Sequence, residues 1–135
     1  MVKDPVLVKA DTSCGRIAQL MKERKIGSVV IVEKGKPVGI VTERDLVHRV
    51  MAEGKDPYSC YADQVATKPV IAVSIHADVE MVVDIMNDYG IRRIVVVDND
   101  DQVIGIVTTD DLAKQLRGMS EELAVKYSVL SRKNN

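Results

Sequence analysis

Gly39-Ile40-Val41-Thr42-Glu43-Arg44-Asp45 is the stretch on which the reading of this chain turns, because it recurs as Gly105-Ile106-Val107-Thr108-Thr109-Asp110-Asp111. Five of the seven positions are identical, at a spacing of 66 residues. Each copy follows a β-rich apolar run and precedes a short amphipathic one, which places it where a strand gives way to a helix. In both, the threonine stands at an N-cap position with an aspartate three residues on, the spacing of a capping box. Such a junction aims backbone N–H groups and the positive end of a helix dipole at whatever lies above it. Two of them suggest a protein built twice over to hold an anion.

The duplication extends outward from the heptapeptide. Met21 matches Met86, Ile26 matches Ile91, Val30 matches Val95 and Val32 matches Val97, all at a spacing of 65; one extra residue in the second hairpin makes it 66 from Gly39 on. In the first half, Val6–Val8 reads as a short strand and Asp11-Thr12-Ser13 as a cap cluster. The run Cys14–Arg24 reads as a helix with Ile17, Leu20 and Met21 on its buried stripe, stopped by Gly27. Ser28–Val32 is a buried strand, 33–36 a hairpin turn and Pro37–Val41 the return strand. A helix after Thr42 carries Leu46, Val47 and Val50 and ends near Gly54. The second half repeats the order. Val70–Val73 is a strand, Asp78–Tyr89 a helix stopped by Gly90, Ile94–Val97 the buried strand, 98–102 a turn and Val103–Val107 the return strand. Thr108 then caps a helix through Leu116, ended by Gly118. Residues 1–54 are thus the first repeat, 55–68 a linker with one helical turn at Ala62–Val65, and 69–118 the second repeat. In 119–135, Ser120 caps a last helix, Glu121–Leu130, before a frayed tail. The fold class is α/β, in tandem β-α-β-β-α units. One unit of roughly 50–60 residues is marginal alone, so the two are expected to pack their sheets about a pseudo-two-fold axis.

Composition removes several functions. Lys+Arg is 19 and Asp+Glu 20, a net charge of −1, where a general nucleic-acid or membrane-surface binder would want a basic excess. Aromatics are 3%, with no Trp or Phe, so stacking of bases on aromatic platforms is disfavoured. The core is aliphatic, mainly Val and Ile, which suits strands. No signal peptide and no apolar run long enough to span a bilayer are visible, and the expected location is the cytoplasm. Cys14 and Cys60 lack metal-like spacing and read as reduced structural thiols, with a disulfide left open. His48 and His76 have no catalytic or metal partner nearby in sequence, and no nucleophile-and-base, HExxH or Walker pattern appears. Asp98-Asn99-Asp100-Asp101 lacks the spacing and terminal Glu of a calcium loop and reads as a polar turn. No catalytic residue, no metal site and no required cofactor are expected.

A β-α-β-β-α unit repeated in tandem, each copy ending in Gly-hydrophobic-x-Thr-x-x-Asp, resembles the CBS domain pair, or Bateman module. The run Gly90-Ile91-Arg92-Arg93-Ile94-Val95-Val96-Val97-Asp98 is similar to that family's central strand, and the resemblance spans residues 4 to about 117. It implies a non-catalytic regulatory module that binds adenine nucleotides (AMP, ADP or ATP) or S-adenosylmethionine in clefts between the repeats. It also implies a disc-like homodimer of four repeats and regulation of an unidentified protein target. No membrane partner is expected, and the charge balance disfavours nucleic acid. Asp45 and Asp111 are the family's ribose positions. Thr42 and Thr108 would bond ribose or phosphate, and Ile40 and Ile106 would lie on the adenine face. The base would be read by the first strand of the opposite repeat: Val6 with Ile26 for the Asp111 cleft, Ile71 with Ile91 for the Asp45 cleft. For the phosphate, the residues themselves offer Arg44, Arg92 and Arg93. Gly27 and Ser28, matching Arg92 and Arg93, are uncharged, and Asp110 stands where the first copy has Arg44. Two unequal sites are therefore expected, with AMP ahead of ATP. The alternatives are an adaptor dimer whose clefts stay empty and an S-adenosylmethionine sensor.

Overall fold

The structure is a computed structural model, and it describes residues 2, 3 and 5–116. The Gly118 stop, the Ser120-capped helix expected over Glu121–Leu130 and the tail lie outside the described residues. The chain divides into two compact units, one of Pro5–Val70 and one that joins the N-terminal residues to the chain from Ile71 on.

In the Pro5–Val70 unit, Ser13 caps helix α1 (Cys14–Arg24) by accepting from the Arg16 N–H at 3.1 Å. The helix ends one turn before the glycine expected to stop it. Lys25 takes the left-handed conformation, φ 53°, and returns its N–H to the Met21 carbonyl. Strand β3 (Ser28–Glu33) then runs parallel to β2 (Leu7–Val8) and antiparallel to β4 (Lys36–Thr42), giving the order β2-β3-β4. Val29, Val30, Ile31 and Val41 are fully buried, and Ile17 of α1 packs into the same core. This is the aliphatic core that a chain without Phe or Trp must build.

Helix α2 (Glu43–Leu46) follows β4 directly, but it does not continue as a regular helix to Gly54. From Val47 to Met51 it becomes a π-turn, closed by the Ala52 N–H on the Val47 carbonyl at 2.8 Å. The segment read as a linker packs onto its own unit. Its turn, α3 (Ala62–Val65), buries Ala62 and Val65 completely beside Cys60 and Ala66 in the same core as Ile17. An apolar pattern two residues long cannot be seen as core in sequence, which explains why it read as a connector.

The other unit holds the four-stranded order β1-β7-β6-β5. It consists of β1 (Val2–Lys3), β5 (Ala72–Ser74), α4 (Val79–Tyr89), β6 (Arg93–Val97), β7 (Val103–Thr108) and α5 (Thr109–Leu116). Strand β1 was not anticipated. It pairs antiparallel with β7, Val2 opposite Ile106, so these residues belong with the second repeat's sheet and not with the first repeat's. A two-residue strand shows no periodicity. Asp78 caps α4 by accepting from Met81 N–H at 2.8 Å, and Gly90 at φ 64° ends it, as its position implied. The register shifts between Ile31 and Val32 in one sheet and between Val96 and Val97 in the other, so the same bulge is kept at the repeat distance.

Candidate functional site: two capped strand-to-helix junctions

Both heptapeptides fold as capping boxes. The Thr42 N–H donates to Asp45 Oδ2 at 2.9 Å and the Asp45 N–H to Thr42 Oγ1 at 3.2 Å. The Thr108 N–H donates to Asp111 Oδ2 at 3.0 Å and the Asp111 N–H to Thr108 Oγ1 at 3.2 Å. The reciprocal pair satisfies two otherwise orphaned donors and fixes each carboxylate against its helix start. Thr–x–x–Asp is what makes the geometry repeat, since both bonds are local.

The helix starts do not, however, aim a fan of N–H groups outward. Two of the first copy's donors are taken by the box itself, and the Glu43 N–H is held by the Gly27 carbonyl at 3.1 Å. In the second copy the Thr109 N–H goes to the Arg92 carbonyl at 3.0 Å. The backbone anion cradle expected from the motif is thus largely spent on tying each junction to the loop before the central strand. Of the helix-start donors among the described residues, only the Arg44 and Asp110 N–H groups have no such bond, so an anion would draw mainly on side chains.

The copies differ beyond the box. Asp45 is 7% exposed, and its carboxylate also accepts from the Thr42 hydroxyl at 3.1 Å and the Thr67 hydroxyl at 3.4 Å. Arg49 Nε lies 3.8 Å from Asp45 Oδ1, while its Nη1 donates to the carbonyls of Val65 at 3.1 Å and Ala66 at 3.2 Å. The sequence reading missed Arg49 and Thr67. The i, i+4 spacing of Asp45 and Arg49 was the available signal for one; Thr67, 22 residues away, left none. Asp111 is half-buried and borders a cavity of about 180 Å³ whose walls include Val73, Val96 and Leu112.

The remaining candidates fall on both units. Val6, Ile26, Ile40, Thr42, Arg44 and Asp45 belong to one; Ile71, Ile91, Arg92, Arg93, Ile106, Thr108 and Asp111 to the other. The carbonyls of Val6 and Ile71 accept from the Val30 and Val95 N–H groups at 3.0 and 3.1 Å, so part of the backbone assigned to a base is already in the sheets. Ile26 and Ile91 pack against their units' cores, Ile40 is half-buried and Ile106 is buried. Arg44 and Arg92 are exposed and Arg93 half-exposed at the head of β6. Cys14 and Cys60 are free and buried. Burial first, and then the neighbouring Cys60 thiol, push the Cys14 thiol from 9.0 up to about 12. Among the described residues no three His, Cys, Asp or Glu side chains gather as metal ligands, and no helix is long and apolar enough to cross a membrane.

Tandem units closed by the same capped junction define a paired-repeat module of mixed α/β class. The chain belongs to the CBS domain family, which matches residues 1–52 and again 62–118. CBS domain proteins are in general regulatory, ligand-binding and non-catalytic. An uncharacterized protein of Methanopyrus kandleri is 48% identical over 97 residues, covering 71% of this chain and 50% of that protein, so the chain spans half the length of that relative. Hypoxic response protein 1 of Mycobacterium tuberculosis is 31% identical over 100 residues, 73% of this chain and 69% of that protein. A crystal structure of hypoxic response protein 1, described with two coordinated zinc ions, superposes with a TM-score of 0.74 at 27% identity over 86% of this chain and 94% of that one. A CBS domain protein of unknown function from Thermoplasma acidophilum superposes with a TM-score of 0.80 at 27% identity, covering 98% of this chain and 73% of that one.

Proposed function

We propose that the chain is a non-catalytic sensor of adenine nucleotides, AMP before ADP or ATP, that acts through its own homodimer or on a separate protein. The observation that carries this reading is the duplicated capping box, which holds Asp45 and Asp111 in one geometry at matched positions. A carboxylate so held can accept both hydroxyls of a ribose diol without a metal. Thr42 and Thr108 sit beside it, and the half-buried Ile40 offers apolar surface to a base, whereas Ile106 is buried. Since most of the backbone donors are consumed, phosphate falls mainly to Arg44, Arg92 and Arg93. One phosphate matches this supply of cations better than three, especially where Asp110 adjoins Asp111.

A second reading is favoured at one copy alone. The four donors gathered on Asp45 suit a purely structural carboxylate, as in an adaptor whose first site stays empty. Calorimetric titration of AMP, ATP and S-adenosylmethionine into the purified chain separates these readings. AMP binding that is weakened at least tenfold by Asp111→Ala supports the sensor. No heat with any of the three, and no change in scattering or melting temperature, rejects it. Preference for S-adenosylmethionine moves the assignment to that ligand.

A further inference from the structure

Residues 55–60 form a strap across the start of α1. The Gly15 N–H donates to the Pro57 carbonyl at 2.9 Å, and a Cβ on Gly15 would lie 2.5 Å from the Tyr58 ring. Just before α3 the strap makes an antiparallel bridge with the chain that enters α1. Ser13 pairs with Tyr61, flanked by the Cys14 N–H on the Cys60 carbonyl and the Ala62 N–H on the Thr12 carbonyl, both at 2.8 Å. Cys14 and Cys60 therefore stand opposite each other, one step beyond that pair. Opposed residues of an antiparallel pair have Cα atoms about 4.5–5.5 Å apart, inside the range that a disulfide spans without backbone movement. The two thiols are within hydrogen-bond reach of each other. Both side chains are free and at most 3% exposed. Packing alone asks for no such pair, since the counterpart of Cys14 at the repeat distance is Val79.

We propose that Cys14 and Cys60 form a thiol–disulfide clasp, closed by exchange with a low-molecular-weight disulfide of the glutathione class. Cys60 is the residue that meets the oxidant. It borders a polar recess with Lys55, Asp56, Ser59 and Gln64, in a strap whose residues 55–59 are exposed. Burial, by contrast, pushes the Cys14 thiol up to about 12 and keeps it protonated. The Cys60 thiolate attacks one sulfur of oxidised glutathione, forms a mixed disulfide and expels one glutathione thiolate. Cys14 then gives up its proton and attacks Cys60 Sγ, which forms the protein disulfide and expels the second glutathione. Two cysteine thiols are oxidised, one glutathione disulfide is reduced to two thiols, and both cysteine protons end on glutathione. Closed, the clasp ties residues 46 positions apart and fastens the strap to the start of α1. It thereby fixes the entry to α3 and, beyond it, to Thr67, whose hydroxyl reaches Asp45 at 3.4 Å. The clasp acts on the first unit, because Val79 takes the place of Cys14 in the second.

The test exposes the full native chain to oxidised glutathione and maps its peptides without reductant. A link between Cys14 and Cys60 is expected in most molecules, with two glutathione thiols released for each link formed. Closing so long a loop should raise the melting temperature by about 5 °C or more, and dithiothreitol should return it to its starting value. Cys14→Val, which copies the residue of the second unit, should show neither the link nor the rise. A link that forms only after the chain is unfolded in urea, links between chains in place of the internal one, a melting temperature indifferent to the link, or the same rise in Cys14→Val overturns the proposal.

Discussion

Asp45 and Asp111 occupy equivalent positions, and each caps its helix, a role worth about 1 kcal/mol. Removing Asp45 also strands the Thr67 hydroxyl and loosens Arg49, so Asp45→Ala should cost roughly 2–3 kcal/mol. Urea unfolding of the variant checks this, and a loss no larger than that of a cap would contradict it. Cys14 yields a pH prediction. Its folded value lies above its unfolded one, so the neutral thiol's contribution is complete below about pH 9 and is lost as pH climbs toward 12. The urea midpoint should fall over that window, and less steeply in Cys14→Ala. The same burial should make Cys14 slow to alkylate at pH 8.

At the scale of elements, α1 and the strap over it form a matched pair. Gly15→Ala gains helix propensity of up to about 1 kcal/mol but meets the Tyr58 ring, which Gln19 holds through its hydroxyl at 2.9 Å. The substitution should be close to neutral in the wild type and stabilising by about 1 kcal/mol once Tyr58→Ala has cleared the space. A double-mutant cycle measures the difference, and identical effects in both backgrounds would show that the strap does not press on the helix. Elements of this kind also show what sequence can disclose. Helices α1 and α4, the central strands and both capping boxes were legible, because amphipathic stripes and Thr–x–x–Asp act within a few residues. The burial of α3, the pairing of β1 with β7 and the Gly27 and Arg92 carbonyls at the helix starts depend on partners far along the chain. The same distance hid Thr67 from any reading of the site around Asp45.

For the molecule as a whole, the proposed sensor has a thermodynamic signature. A ligand that binds only the folded chain at 100 times its Kd adds about 2.7 kcal/mol of stability. AMP should therefore raise the melting temperature in a concentration-dependent way, and Arg92→Ala with Arg93→Ala should abolish most of that rise. A rise that survives the double variant would take the phosphate away from these arginines.

The π-turn at Val47–Met51 has its own consequence for how the two halves are compared. It uses one residue more than an α-turn, so side chains beyond it are displaced by about 100° around the axis relative to a 3.6-residue count. Helix α5 carries no such offset. The halves therefore share a common phase only as far as Leu46 and Leu112. A mutational map transferred from one helix to the other past that point assigns residues to the wrong side by more than a quarter turn, unless one position is skipped.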